Sequence, residues 1–398
     1  MNNISFLLGC GISIPAGLPG TWEITNEIIC NWDKWYKDDT QYLLKKSSRQ
    51  SKEYFEKSPY SDWTRKIAFF LNLINKEIKQ YYGFIAKIDV VDNYEEIYDF
   101  VYHIRQALTR TIDNPLTNRI INCLMHSSEF FHSSNEDKYS ELKLLCYESM
   151  QFIKNVVHSQ LQKKGTKSSG FNIIKNVIEK GNVQSIFTLN HDTLLEEFLK
   201  EKNIEFYDGF EKKSKNGVRF WESNFANNST ALQYLKLHGS INWFNFRIDS
   251  DIGLKIGNIG LVEKWQSEGV VDCIVEETKY RVEKFPNFLT GTNDKYLEYN
   301  YGQYLELFAQ FHSLLKTTET LIIAGYGFGD NAVNLRIIDW FENNKNSKIE
   351  IISPDIEKTV NNAKGAIYAR LKDWDSSRIS FIEKGIENTK LSDLKFLQ

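Results

Sequence analysis

Four short stretches of the chain bring together residue types that can do chemistry. The first is "GCGIS" (residues 9–13), where Gly9, Cys10, Gly11, Ile12 and Ser13 follow an apolar run. Glycines there let the backbone approach a ligand closely, and successive N–H groups in such a turn suit a phosphate. The spacing is not GxGxxG, because Ile14 stands where the third glycine belongs. The second stretch, "TLNHD" (188–192), offers Asn190, whose amide both donates and accepts, and Asp192, a carboxylate. The third, "KLHGSINW" (236–243), carries His238, an imidazole able to accept a proton near neutrality. The fourth, "GYGFGD" (325–330), is another glycine-rich turn, with Gly325, Tyr326, Gly327 and Phe328. Each also has a plainer reading. The glycine-rich stretches suit tight strand-to-helix turns, Asn190 and Asp192 suit a helix cap, and His238 suits a satisfied turn histidine. His191 reads as an exposed residue at a helix start and not as a ligand, since no second His or Cys stands at ligand spacing.

What joins these residues is the pattern of elements that carries them. After about residue 180 the chain alternates short β-rich runs with helical ones. The strands read at 183–190, 204–209, 232–243, 320–328, 348–354 and 378–384, with helices at 192–202 and 301–317. Such alternation predicts an α/β fold with a doubly wound, Rossmann-like parallel sheet, which the run Ile4–Leu8 joins. The four stretches then fall at carboxyl ends of strands, along the one edge where such sheets bind ligands. Residues 23–180 read as helices, from repeats such as Ile24, Ile28, Trp32 and Trp35, then Ile97, Val101, Ile104 and Leu108, then Leu142, Leu145, Cys146, Ile153 and Val156. Breaks fall near 57–62, 113–115 and 132–138. The expected organisation is a Rossmann-like domain of residues 1–22 plus 181–398, with a large all-helical insertion over 23–180.

A net charge of −3 at pH 7 over 398 residues gives no electrostatic reason to expect direct nucleic-acid binding. The basic runs at 45–52 and 163–170 lack interleaved aromatics and read as solvated loops. The five cysteines form no CxxC pair, which fits reduced thiols and argues against a structural zinc ribbon. With no targeting segment and no long apolar run, a cytoplasmic protein without membrane contact is expected.

On these residues the chain resembles the sirtuin superfamily. "GCGISIPAGLP" is similar to the GAGxSxxSGIP segment of sirtuins, "TLNHD" to their TQNxD and "KLHGS" to their HG, while "GYGFGD" takes the place of their Gly-Thr-Ser turn. "GLPGTW", "HGSINW" and "GYGFGDN" resemble the sirtuin-like NAD-hydrolase domains of bacterial antiphage defence more than the protein deacylases. The resemblance covers residues 1–22 and roughly 180–355. Deacylases carry two CxxC pairs and a Phe-Arg after the Pro; this chain has neither, with Thr21 and Trp22 following Gly20.

The resemblance implies NAD+ as substrate, hydrolysed to nicotinamide and ADP-ribose without a metal, in abortive-infection defence. Asn190 would orient the ribose and the attacking water. Asp192 would fix that loop or help neutralise developing charge, and His238 would take a proton from a ribose hydroxyl or the water. Gly9 to Ser13 and Gly325 to Phe328 would contact NAD+, with their amides meeting its phosphates in the first turn. Trp22 would wall the nicotinamide pocket unless it is an ordinary core tryptophan, and Ser353 stands where deacylases place an adenosine-contacting Asn. A homo-oligomer partnered by a hexameric HerA-type ATPase is expected by the same analogy, with 23–180 roofing the pocket and forming the oligomer contacts. The alternatives are an NAD-dependent protein deacylase and a catalytically silent NAD or ADP-ribose sensor or scaffold.

Overall fold

The computed structural model describes residues 3–38, 41–45, 61–85, 92–111, 115, 117–126, 135–162, 169–214, 217–225, 231–248, 258–263, 272–275, 278–291 and 298–397. The breaks read near 57–62 and 113–115, and the basic runs at 45–52 and 163–170, fall largely outside them, while the break read at 132–138 gives way at Asn135 to the helix Asn135–Leu161. Along the chain the strands are β1 (Asn3–Leu8), β2 (Trp35–Asp38), β3 (Gln41–Leu44), β4 (Asn182–Thr188), β5 (Phe206–Tyr207), β6 (Val218–Phe220), β7 (Leu232–Lys236), β8 (Gly239–Ile248), β9 (Ile259–Val262), β10 (Asp272–Val275), β11 (Thr278–Phe288), β12 (Thr320–Ala324), β13 (Lys348–Ser353) and β14 (Ile379–Glu383).

Seven strands form one sheet in the order β14-β13-β12-β1-β4-β7-β5, and every pairing in it is parallel. The fold is the α/β, Rossmann-like one. Parallel strands need cover on both faces, and the alternation of side chains supplies it. Leu7, Phe187, Leu235, Leu321, Ile323 and Ile351 bury on one face with the helices Gly302–Thr317 and Asn331–Asn343. Ile4, Phe6, Leu8, Ile186, Ile322 and Ile352 bury on the other with the helices Asn172–Lys180 and Leu194–Glu201. From β1 the chain runs outward to β4, β5 and β7, then returns to the other side of β1 for β12, β13 and β14. The order therefore reverses between β1 and β12, the place where such sheets open a ligand crevice.

The run 232–243, read as one strand, is two. β7 ends at Lys236, His238 occupies the turn, and β8 starts at Gly239 in a different sheet. Gly239 has φ +74°, and a Cβ there would lie 2.5 Å from the Asn287 carbonyl oxygen, so the turn needs a glycine. The second sheet, β10-β11-β8-β9-β6, is antiparallel and was not expected from the sequence.

The chain divides into two compact units: Met1–Leu18 with Leu161–Gln398, and Pro19–Gln160. The boundaries thus lie at 18/19 and 160/161 and not at 22/23 and 180/181, because residues 171–180 bury against the sheet. Nor is the second unit all helical. Its helices Thr21–Ile29, Ser61–Ile85, Tyr94–Thr109, Thr117–Met125 and Asn135–Leu161 accompany the antiparallel hairpin β2–β3. Trp35, read as part of a helical repeat with Trp32, lies in β2 and packs edge-on against Phe152 at 6.1 Å. Lys37 and the Tyr42 hydroxyl both reach Glu148, tying the hairpin to the helix Asn135–Leu161.

Candidate active site at the strand ends

The turn after β1 is built against the turn after β12. The amides of Gly9 and Gly11 donate to the carbonyls of Ala324 and Gly325, each at 3.0 Å. A Cβ on Gly9 would lie 2.5 Å from the Gly325 carbonyl oxygen, and one on Gly11 would lie 2.7 Å from Gly325 Cα. Gly325 has φ +62°, and a Cβ on it would lie 2.5 Å from the Ile12 nitrogen. These three glycines are required because two backbones touch. The Ile12 and Ser13 amides close a single 3₁₀ turn onto the Gly9 and Cys10 carbonyls. The amides of Gly9, Gly11, Ile12 and Ser13 are therefore engaged within the protein, which corrects the expectation that they meet phosphate. Gly327 differs: it is exposed, and a Cβ there would meet nothing within 4 Å.

Ser13 belongs to a buried cluster with the loop after β4. Its hydroxyl donates to Asp192 Oδ2 at 2.8 Å and accepts from Asn190 Nδ2 at 3.2 Å. Asp192 Oδ1 accepts from the Leu194 amide at 3.0 Å, the first of the helix whose N-cap is Thr193, so one carboxylate holds both the helix start and Ser13. The buried Lys236 ammonium at the end of β7 donates to the Asp192 carbonyl and to Glu196, holding the loop from beneath. Asn190 is 6% exposed, and its Oδ1 has no hydrogen-bond partner among the described residues. A buried carbonyl left unpaired is costly, of order 1–3 kcal/mol, and marks a place where a donor is missing.

His238 is 4% exposed. Its Nε2 lies 2.9 Å from Asp330 Oδ2, which also accepts from the Tyr299 hydroxyl at 2.9 Å. Asp330 Oδ1 accepts from the Ala332 and Val333 amides at 2.9 and 3.1 Å, capping the helix Asn331–Asn343. Two strands, β1 and β4, lie between β7 and β12. The turn 325–330 thus has to reach across roughly 14 Å of sheet edge, at about 4.8 Å per strand. Phe328, fully buried at φ +53°, turns the chain for that reach, and its carbonyl accepts from Asn334 Nδ2 and the Lys364 amide. A bulky residue in the left-handed region is strained. Here the strain is held by packing and by those two donors.

His191 is not an exposed helix-start residue. It is 6% exposed, three residues before the helix Leu194–Glu201, with its ring 4.6 Å from Phe288 and 6.1 Å from His238. Its carbonyl accepts from the Ile241 amide and the Ser240 hydroxyl, which draws β8 onto the loop and buries the ring. Thr290 sits beside the site as well, since the neighbouring Leu289 amide donates to the His238 carbonyl, and its buried hydroxyl has no partner among the described residues.

The structure therefore brings together Ser13, Asn190, Asp192 and His238 with Gly9, Gly11, Ile12 and Gly325 in the first unit. Cys10 is exposed on the first turn and forms no disulfide among the described residues, and Tyr326 clamps its own turn by bonding Asp330 and Asn334. Ser353, at the end of β13, uses its hydroxyl on Asp355 and Thr359. Trp22 belongs to the other unit, 54% exposed on the first turn of the helix Thr21–Ile29. Asp330, Tyr299 and Thr290 were not singled out from sequence, and His191 was read there as exposed and not as a site residue. Asp330 alone gave a signal, as the last residue of the fourth stretch, one position before a helix. Among the described residues no three of His, Cys, Asp or Glu are grouped to hold a metal ion, and no helix is long and apolar enough to cross a membrane.

Solved structures with a similar course include Sir2Tm bound to a propionylated peptide, at 10% identity and TM-score 0.33 over 97% of this chain and 89% of that one. A mutant Sir2 homologue in complex with ADP-ribose, at 10% identity and TM-score 0.35, covers 97% of this chain and 87% of its own. No curated protein matches the chain. Residues 184–373, the segment that holds Asn190, Asp192, His238 and Asp330, match the family described as the SIR2-like domain.

Proposed function

We propose that the protein is an NAD+ glycohydrolase, which uses water to break the bond between nicotinamide and ribose and releases nicotinamide, ADP-ribose and a proton. The observation that carries this reading is the unpaired, buried Asn190 Oδ1, whose partner amide nitrogen is already fixed on Ser13. It is a buried acceptor able to hold a hydroxyl or a water, at the end of a strand beside the reversal of strand order, where such sheets bind ligands. Departure of nicotinamide builds positive charge on the ribose ring, as in other glycosidic cleavages. In this reading Asn190 orients the ribose or the attacking water, and His238 receives the proton. The bonds of Asp192 to Ser13 and to the Leu194 amide favour the loop-fixing role for that residue. The SIR2-like match of residues 184–373 supports NAD+ as the nucleotide. The role in antiphage defence, the homo-oligomer and the hexameric ATPase partner extend the proposal by resemblance.

The experiment is product analysis after the full chain, alone and with any partner that co-purifies, is given NAD+ and an acetylated peptide. Free ADP-ribose and nicotinamide are expected, with the peptide unchanged. An acetylated ADP-ribose would assign a deacylase, and binding without any product would assign a sensor.

A further inference from the structure

We infer that Asp330 is the positioning residue that sets the tautomer of His238, so that Nε2 carries the proton and Nδ1 is the ring atom that accepts one during NAD+ cleavage. The catalytic half of this inference rests on the proposed NAD+ hydrolysis; the place of the proton does not.

Donors surround the Asp330 carboxylate. Oδ1 faces two backbone amides, of Ala332 and Val333, which can only donate. Oδ2 receives the Tyr299 hydroxyl at 2.9 Å, and that phenol ring is stacked on Phe308 at 4.2 Å and 13°, which fixes where it points. Oδ2 also faces His238 Nε2 at 2.9 Å, and an aspartate that accepts from two amides and a phenol has no proton to offer the ring. Nε2–H must therefore donate, which leaves the lone pair of a neutral ring on Nδ1. The carboxylate itself cannot swing away. The Asp330 amide donates to the Tyr326 hydroxyl, and the helix cap holds Oδ1. Nor can the backbone of His238 shift freely, since its carbonyl holds the Leu289 amide at 2.8 Å. Asp330 comes from the far side of the strand-order reversal, so the contact is made by the fold and not by neighbouring sequence.

Asp330→Asn is the informative change. Asn is a good cap, so its Oδ1 stays on the two helix amides. Its amide NH2 then faces His238 Nε2, which has to accept, and the ring proton moves to Nδ1. Nitrogen-15 spectra of histidine-labelled full-length protein, with His238 assigned through His238→Gln, read the tautomer directly. Wild type is expected to carry the proton on Nε2 and Asp330→Asn on Nδ1. Nicotinamide release by Asp330→Asn is expected to fall about 10²-fold or more in kcat with KM little changed. A wild-type ring protonated on Nδ1 would overturn the assignment whatever the activity, and it decides the matter even if the variant fails to fold. A variant with the flipped tautomer and an unchanged kcat would overturn the proton-accepting role of Nδ1. If wild type releases no nicotinamide, the NAD+ reading fails, while the two spectra still decide what Asp330 does to His238.

Discussion

At the scale of single residues, the site depends on which atoms are already engaged. Glycine-rich turns invite a phosphate reading, but the amides of Gly9 and Gly11 are bonded to Ala324 and Gly325, and their Cα faces abut the Gly325 backbone. Gly11→Val is accordingly predicted to act on folding, lowering stability by about 2 kcal/mol or more, because no flexible side chain is there to yield. Gly327→Val meets open space, so its melting temperature should stay close to wild type while KM for NAD+ rises. Denaturant titration of both variants, with kinetics on Gly327→Val, checks the pair. A stable Gly11→Val protein would restore the reading in which that glycine only admits a ligand. Ser13, Asn190, Asp192 and His238 have plain turn or cap readings one by one, and were legible because four strand ends along one sheet edge carry such residues together and resemble the motifs of one superfamily. Asp330 was less so, since one carboxylate serves as a helix cap and as the partner of His238, and the cap alone accounts for it in sequence. Tyr299 precedes its helix with no periodicity to mark it.

At the scale of elements, the parallel strands declared themselves through short apolar runs between helices, and all seven strand positions in that sheet overlap runs read from sequence. Where reading failed, a turn looked like strand. "LQYLKLHGSINW" is continuous in β propensity, and only the positive φ of Gly239 separates β7 from β8. Likewise, tryptophans at helical spacing concealed the β2–β3 hairpin, which owes its place to contacts with Phe152 and Glu148, more than 100 positions away. One device between elements can be tested by itself. Lys236, 3% exposed, joins β7 to the loop and helix that follow β4. Lys236→Met leaves Glu196 facing an apolar group, and a loss of about 3 kcal/mol is expected, most of it regained in Lys236→Met with Glu196→Gln. Equal losses in the single and double variants, by chemical denaturation, would show that the ammonium holds the Asp192 carbonyl and little else.

At the scale of the whole molecule, the first unit is assembled from both ends of the chain, and its last residues tie back onto the sheet. Glu350, fully buried in β13, accepts from the Lys395 and Phe396 amides at 3.2 and 2.7 Å. Burial raises its carboxyl above the ordinary value, and the two amides only partly offset this. A carboxyl raised on folding lends stability that is fully present below its unfolded value and lost as pH rises through its folded value. Glu350→Gln should therefore gain on wild type in melting temperature as pH goes from about 4 to 7. Parallel curves would mean that the folded and unfolded carboxyls titrate alike. Assembly is a separate matter. Light scattering on the full chain at micromolar concentration should find a homo-oligomer, and a strict monomer would count against that part of the proposal. The central claim is narrower, namely that the crevice between the ends of β1, β4, β7 and β12 cleaves NAD+ through Asn190. Its most direct test is nicotinamide release by wild type and by Asn190→Ala, measured side by side on protein of equal fold and assembly. The account predicts turnover in wild type and a loss of about 10²-fold or more in the variant, whereas equal release by the two proteins would contradict it.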